Sequence, residues 1–311
     1  MNHQPIVVAW GGGRDSTAFI IENHRLGIPM KILIADVGSE KPETYEYIKY
    51  FSKYCVEVGI GKPVMVRYVP KHAPYTTIEG NMCMNNTLPG EAFGFGSCTV
   101  KWKIKPQDKW CDQDMDCVRQ WADGGKVIKM IGYEAGEESR AKKVSQHAES
   151  SKKYEFVYPL IDWGWDLERC KYEIAKAGLI VPPKSACYFC PNMKPDEIRE
   201  LAPAELGKII RMEVYAEPYN QKIHGLWRKP NKKRDLPGSM TEFILREDLE
   251  WIWPEDEMGL NPKCSKARRG YTMKPPHIEI SLRELLSLSG FEVPPQEQLE
   301  DDLHGQIVLE L

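Results

Sequence analysis

Residues 7–21 read VVAWGGGRDSTAFII. An apolar, β-branched run passes through three glycines into Arg14, Asp15 and Ser16, and then into a second apolar run. The first run reads as a buried parallel strand and the glycines as a tight turn. Residues 15–27 read as a helix, with Asp15 or Ser16 near its cap and Gly27 at its end. A strand, a glycine turn and a helix start together make an anion site. The glycines let backbone N–H groups converge, and the helix N-terminus adds partial positive charge. Phosphate or sulfate is the natural guest, and a plain βα turn without a ligand is the alternative. The spacing is neither G-x-x-x-x-G-K-[ST] nor G-x-G-x-x-G.

Working outward, MKILIADVGS (30–39) predicts a second strand, and PETYEYIKYFSKYCVEVG (42–59) a second helix with Pro42 in its first turn. KPVMVRYV (62–69) predicts a third strand. This alternation predicts βαβ units, hence an α/β fold with a doubly wound parallel sheet. Residues 72–98 are loop-rich and 101–125 helical. Residues 126–140 give a strand and a polar loop. Residues 154–179 give a short strand, a turn and a helix ending at Gly178. Residues 181–193 are a proline-stiffened loop. Beyond 196 the pattern becomes helical and irregular. We therefore expect a domain over 1–195 and an appended, mainly helical and irregular C-terminal region over 196–311.

Composition narrows the function. Of 311 residues, 42% are hydrophobic, enough for a sizeable core, and the net charge of −3 gives no global basic field. No run reaches the length of a membrane helix, and MNHQPIVVAW lacks the layout of a signal peptide. The expectation is a cytoplasmic protein with no membrane partner. Nine cysteines, an odd count, read as thiols, metal ligands or small core residues.

GGGRDS resembles the S-G-G-x-D-S loop of the PP-loop ATP pyrophosphatases and of their relatives, the sulfonucleotide (PAPS and APS) reductases, with Gly11 in place of the first serine. Further segments follow in the order of that superfamily. ADVGSEKPETYEY (35–47) is similar to D-T-G-x-x-x-P-E-T, with Val37 for threonine. IGYEAGEESR (131–140) is similar to G-x-R-x-x-E-S-x-x-R, with Tyr133 for arginine. YPLIDWGWDLE (158–168) is similar to P-[IL]-x-x-W-x-x-x-[DE]. The resemblance covers residues 5–195 and implies a PP-loop, Rossmann-like fold.

It also implies roles. Gly11, Gly12, Gly13 and Ser16 would cradle the phosphates of ATP or a related adenine nucleotide, and Arg14 would add a charged contact. Asp15 would start the helix and help to hold Mg2+. Asp36 and Glu40, beyond the second strand, and Gly132 would lie at the nucleotide. Arg140 would neutralise phosphate or sulfate. Asp15, Arg14 and Arg140 are the candidate catalytic residues. Glu137 and Glu138 read equally as functional or as a solvated loop.

SACYFCPNM (185–193) carries Cys187 and Cys190 as C-x-x-C, a spacing that can chelate a cluster, a zinc ion or form a redox pair. GSCTVKWKIKPQ (96–107) places Cys98 in a segment similar to the C-C-x-x-x-K-x-x-P of APS-type reductases, with Ser97 for the first cysteine. By that resemblance Cys98, Cys187 and Cys190 would hold a 4Fe–4S cluster, with Zn2+ as the alternative. Cys264 is the first candidate for a fourth ligand and Cys83 the second; an open, three-cysteine cluster is the third. Cys55 and Cys170 read as core residues, Cys111 and Cys117 as structural or incidental.

The reductases also carry a C-terminal E-C-G-x-H motif, and this sequence has none. The surviving chemistry is ATP-dependent adenylation of a substrate, followed by sulfur transfer to nucleic acid or to a small molecule. A reductase with an atypical nucleophile at Cys264, and a non-catalytic nucleotide- or nucleic-acid-binding protein, are the alternatives. RKPNKKR (228–234) beside Trp227, and KCSKARRGYTMK (263–274), are the basic segments that would meet nucleic acid, against the reading of a solvated surface. A sulfur-donor protein is a further expected partner.

Overall fold

The computed structural model describes residues 4–71, 75–142, 152–220, 222–254, 284, 286, 287 and 290. Its principal elements are β1 (Ile6–Ala9), α1 (Arg14–Arg25), β2 (Lys31–Asp36), α2 (Pro42–Glu57), β3 (Val64–Arg67), α3 (Ile78–Met84), α4 (Lys105–Cys111), α5 (Met115–Ala122), β4 (Val127–Ile131), β5 (Tyr154–Val157), α6 (Leu167–Lys176), α7 (Pro203–Ala216) and α8 (Met240–Arg246). They form two compact units. One joins Met1–Tyr68 to Thr99–Cys187, and the other joins the described parts of Val69–Cys98 and Tyr188–Leu311.

The first unit is an α/β sheet of five parallel strands in the order β3-β2-β1-β4-β5. Strands buried on both faces need apolar residues at successive positions, which IVVA and KILIAD supply. Val8 packs on one face with α1, α2 and α6, in a cluster that holds Trp10, Phe19, Phe51 and Ile174. Val7 points to the other face, toward Cys111 of α4, Cys117 of α5 and Tyr154 of β5. Local signals end these helices. Asp114 caps α5 through the Cys117 N–H (3.1 Å), and Asp166 caps α6 through the Arg169 N–H (2.8 Å). The chain order reverses between β1 and β4, so the connections after these two strands diverge to opposite sides and open a crevice at their carboxyl ends.

The division of the chain differs from the sequence expectation. Residues 69–98, expected within the first domain, fold with the C-terminal segment, and the boundary falls at 187/188 instead of 195. A buried ion pair joins the two segments. Glu79 of α3 accepts from Arg211 of α7 at 2.8 Å and from the Tyr188 hydroxyl, and both members of the ion pair are nearly inaccessible to solvent. A lone buried charge is expensive, so Glu79 ties its segment to α7. The helical segment expected over 194–217 is two helices, Pro195–Arg199 and α7, each with proline in its first turn.

A second buried carboxylate organises this unit. Glu213 of α7 accepts from the Leu226 N–H (2.6 Å) and Met240 N–H (3.0 Å) on Oε1. On Oε2 it accepts from the Ser239 hydroxyl (2.6 Å) and the Thr241 N–H (2.7 Å). It thereby pins the start of α8 and the turn at 226. Glu213→Ala would strand three buried backbone donors, and we expect it to destabilise this unit by about 3 kcal/mol or more, measured as a shift of its urea-unfolding midpoint.

Candidate functional site

The glycine turn sits where β1 ends. Gly13 is the N-cap of α1 and offers no side chain, so the helix starts at Arg14 with no side-chain cap. Asp15 and Ser16 lie in the first turn, next to the cap. The first-turn N–H groups of Arg14, Asp15 and Ser16 have no intrahelical acceptor, the arrangement that receives anions. The turn is held from below: Trp10 Nε1 donates to Thr17 Oγ1 at 3.0 Å, and that hydroxyl donates to the Gly13 carbonyl at 2.7 Å.

Gly12, Gly13 and Gly132 each have a steric reason. Gly12 has φ +72°, and a Cβ there would meet the side chains of Thr44 and Ile48 at 3.1 Å. A Cβ on Gly13 would lie 2.7 Å from Ser185 Oγ. At Gly132, just past β4, a Cβ would lie 2.9 Å from the Ser16 nitrogen and 3.1 Å from its Cα. The β4 exit and the first turn of α1 therefore touch backbone to backbone, which brings Gly132 to the glycine turn as expected.

In the segments that bound the turn, four buried polar atoms have no hydrogen-bond partner among the described residues: Asp15 Oδ1, Glu40 Oε2, Thr44 Oγ1 and Glu134 Oε2. Burial, followed by the charge of Glu137, raises the Asp15 carboxyl above the ordinary carboxylate range. Glu134 is raised for a like reason, burial first and then the Asp15 charge. These carboxylates therefore form a mutually repelling group beside Arg14 and Arg140. Arg140 is held by Glu137, and its guanidinium lies 4.5 Å over the Tyr133 ring, which stacks in turn on Tyr158 at 5.7 Å. Tyr133 replaces the arginine of the resembling motif and serves as the shelf for Arg140.

Asp36 and Glu40 differ in availability. Asp36 Oδ1 accepts from the Gly38 N–H and the Tyr45 hydroxyl, both at 2.8 Å, and Oδ2 accepts from Arg67 Nε at 2.6 Å. Its carboxylate is committed within the unit and orients Arg67 at the end of β3. Glu40 Oε1 takes Lys103 at 3.2 Å and keeps Oε2 without a partner. Glu40 also forms an antiparallel bridge with Cys187, and the Lys41 N–H donates to the Ala186 carbonyl at 3.3 Å. The strap 185–187 thus runs across the start of α2 and over the glycine turn.

The cysteines divide. Cys187 closes the first unit, whereas Cys98 and Cys190 belong to the second. Cys264 lies outside the described residues, as does the basic segment 263–274. Among the described residues, no three His, Cys, Asp or Glu side chains are grouped closely enough to hold a metal ion by themselves. Cys83 is buried in α3. Cys55 and Cys170 lie in the core, and Cys111 and Cys117 occupy the cluster on the opposite face of the sheet. Trp227 donates to the Met193 carbonyl at 3.0 Å and packs on Phe243. Trp227 is half-buried in these contacts, and residues 228–234 beside it are exposed.

Sequence reasoning missed Glu134, Thr44, Arg67 and Ser185. Glu134 had a local signal, two residues past Gly132. The others reach the site from other segments of the chain.

No model of a known protein family matches this chain, and no curated protein is significantly similar to it in sequence. No helix among the described residues is long and apolar enough to cross a membrane.

Two outcomes check this geometry. Gly132→Ala would drive a Cβ into the immovable backbone of Ser16, and we expect loss of about 1–3 kcal/mol of stability in thermal or urea unfolding. Iodoacetamide on metal-stripped native protein should modify Cys98, Cys187 and Cys190. It should spare buried Cys55 and Cys170, whose thiols burial pushes up to about 12. Peptide mass mapping reads the pattern.

Proposed function

We propose that this chain is a PP-loop enzyme of the PAPS reductase-like type, which binds ATP with Mg2+ and adenylates a substrate for sulfur transfer to nucleic acid or a small molecule. The observation that carries the reading is the set of buried polar atoms in the segments bounding the glycine turn, Asp15 Oδ1, Glu40 Oε2 and Thr44 Oγ1, that have no partner among the described residues. Buried polar atoms normally find partners, and a metal–polyphosphate seated on the turn would supply them.

In this mechanism the N–H groups of the glycine turn and of the first turn of α1 hold the polyphosphate. Arg14 and Arg140 neutralise its charge. An oxygen of the substrate attacks the α-phosphate and pyrophosphate leaves, with positioning and charge neutralisation supplying most of the catalysis. Asp15 and Glu134 suit Mg2+, which takes one or two carboxylates together with phosphate oxygens and would neutralise charge on the departing pyrophosphate. Among the described residues the cysteines assemble no group of three, and Cys264 lies outside them.

Asp15→Asn tests it. We expect pyrophosphate release from ATP and Mg2+, in the presence of tRNA or duplex DNA as acceptor, to fall by about a hundredfold. The same substitution should raise the thermal stability of the nucleotide-free protein at neutral pH. A carboxyl whose folded pKa is raised costs stability as pH rises through that pKa, and asparagine removes that cost. Release unchanged in Asp15→Asn would remove Asp15 from the reaction. Sulfite release from PAPS or APS with a thiol reductant, and no pyrophosphate from ATP, would select the reductase instead. Nucleotide binding without either product would select the non-catalytic reading.

A further inference from the structure

The glycine turn is unusual in presenting no hydroxyl at its first position, Gly11, and none at the helix cap, Gly13. A hydroxyl is nevertheless there. Ser185 Oγ lies 3.8 Å from where a Cβ of Gly11 would stand and 2.7 Å from where a Cβ of Gly13 would stand. It therefore hangs over the turn between the two glycines, delivered by a segment far away in sequence. The delivery is rigid: the adjoining residues 186 and 187 are tied by backbone hydrogen bonding and bridging to Lys41 and Glu40. Among the described residues the Ser185 hydroxyl is committed to no other group. The fully buried Thr44 sets its methyl against Gly12 on the neighbouring side, and its Oγ1 has no partner among the described residues.

We propose that the Ser185 hydroxyl is a phosphate ligand of the glycine cradle, donating to a polyphosphate oxygen from the position that a serine at residue 11 would otherwise serve. This rests on the nucleotide reading above. It also gives the strap a second role. Cys187 stands two residues after Ser185, so a polyphosphate gripped by Ser185 fixes the approach of that thiol. The Gly13 requirement follows as well, since any side chain there would displace the Ser185 hydroxyl.

The test exchanges the hydroxyl between the two positions. Gly11 has no positive φ and its Cβ direction is open except for Ser185, so a serine fits there once Ser185 is trimmed. ATP affinity with Mg2+, and affinity for inorganic pyrophosphate, are measured by calorimetry for the full chain. Ser185→Ala should weaken both by about tenfold or more, the worth of one hydrogen bond to a charged group. Gly11→Ser added to Ser185→Ala should restore both. Ser185→Ala binding as tightly as the unmodified protein would overturn the proposal. A loss that Gly11→Ser does not restore would also overturn it, by making Ser185 a packing residue of the strap. An unmodified protein that binds neither ATP nor pyrophosphate would overturn the nucleotide reading itself, and this assignment with it.

Discussion

Everything at the site depends on one close approach. Where the chain leaves β4, a side chain on Gly132 would run into the backbone of Ser16 and the edge of the Phe19 ring, so the strand exit packs directly on the first turn of α1. The order β3-β2-β1-β4-β5 makes β1 and β4 adjacent while sending their following segments apart. That divergence opens the crevice, and the glycine contact keeps its floor shallow. The first turn of α1 thereby sits against the segment that bears Glu134, Glu137 and Arg140. Trp10 then locks the turn through Thr17 to the Gly13 carbonyl. A larger residue at 132 would push α1 away and separate the anion-receiving N–H groups from these acids and arginines.

The electrostatics of the crevice are arranged at a cost. Asp15 and Glu134 are half-buried near each other and near Glu137, and burial together with the charge of neighbouring acids raises both carboxyls. Such perturbed groups cluster at functional sites, although structural ion-pair networks produce them too. Asp36 shows the opposite economy. Its carboxylate is satisfied by Gly38, Tyr45 and Arg67, so it shapes the rim and leaves no lone pair in need of a ligand. Two acids beyond the same strand, Asp36 and Glu40, therefore divide into a positioning group and an open one.

Much of the sheet unit was legible in the sequence because its signals are local. Apolar runs of strand length, glycines at helix ends and Pro42 in the first turn of α2 each act within a few residues. The glycine turn was legible for the same reason. What was not legible depends on partners remote in sequence. Asp36 looked available because Arg67 arrives from the neighbouring strand β3, thirty-one residues on. Ser185 carried no local signal, since its meaning comes from lying over Gly11 and Gly13. The assignment of 69–98 failed because Glu79 reads as an ordinary first-turn acid of α3 until Arg211 closes on it. Burial and pairing across the fold, and not residue type, decided each of these.

The discontinuity of the second unit has a consequence for biosynthesis. Glu79 leaves the ribosome 132 residues ahead of Arg211, its buried counter-ion. All five strands of the parallel sheet are translated before Arg211 emerges, so the sheet can close while residues 69–98 still wait. During the wait Ile78, Met82 and Leu88, all buried in the finished structure, have no core to enter. The growing chain thus carries an unsatisfied apolar insert out of an otherwise completed unit. A holdase chaperone acting on the nascent protein would find its hydrophobic target there, and a ribosomal stall before residue 211 would release a chain with a finished sheet and an orphaned insert.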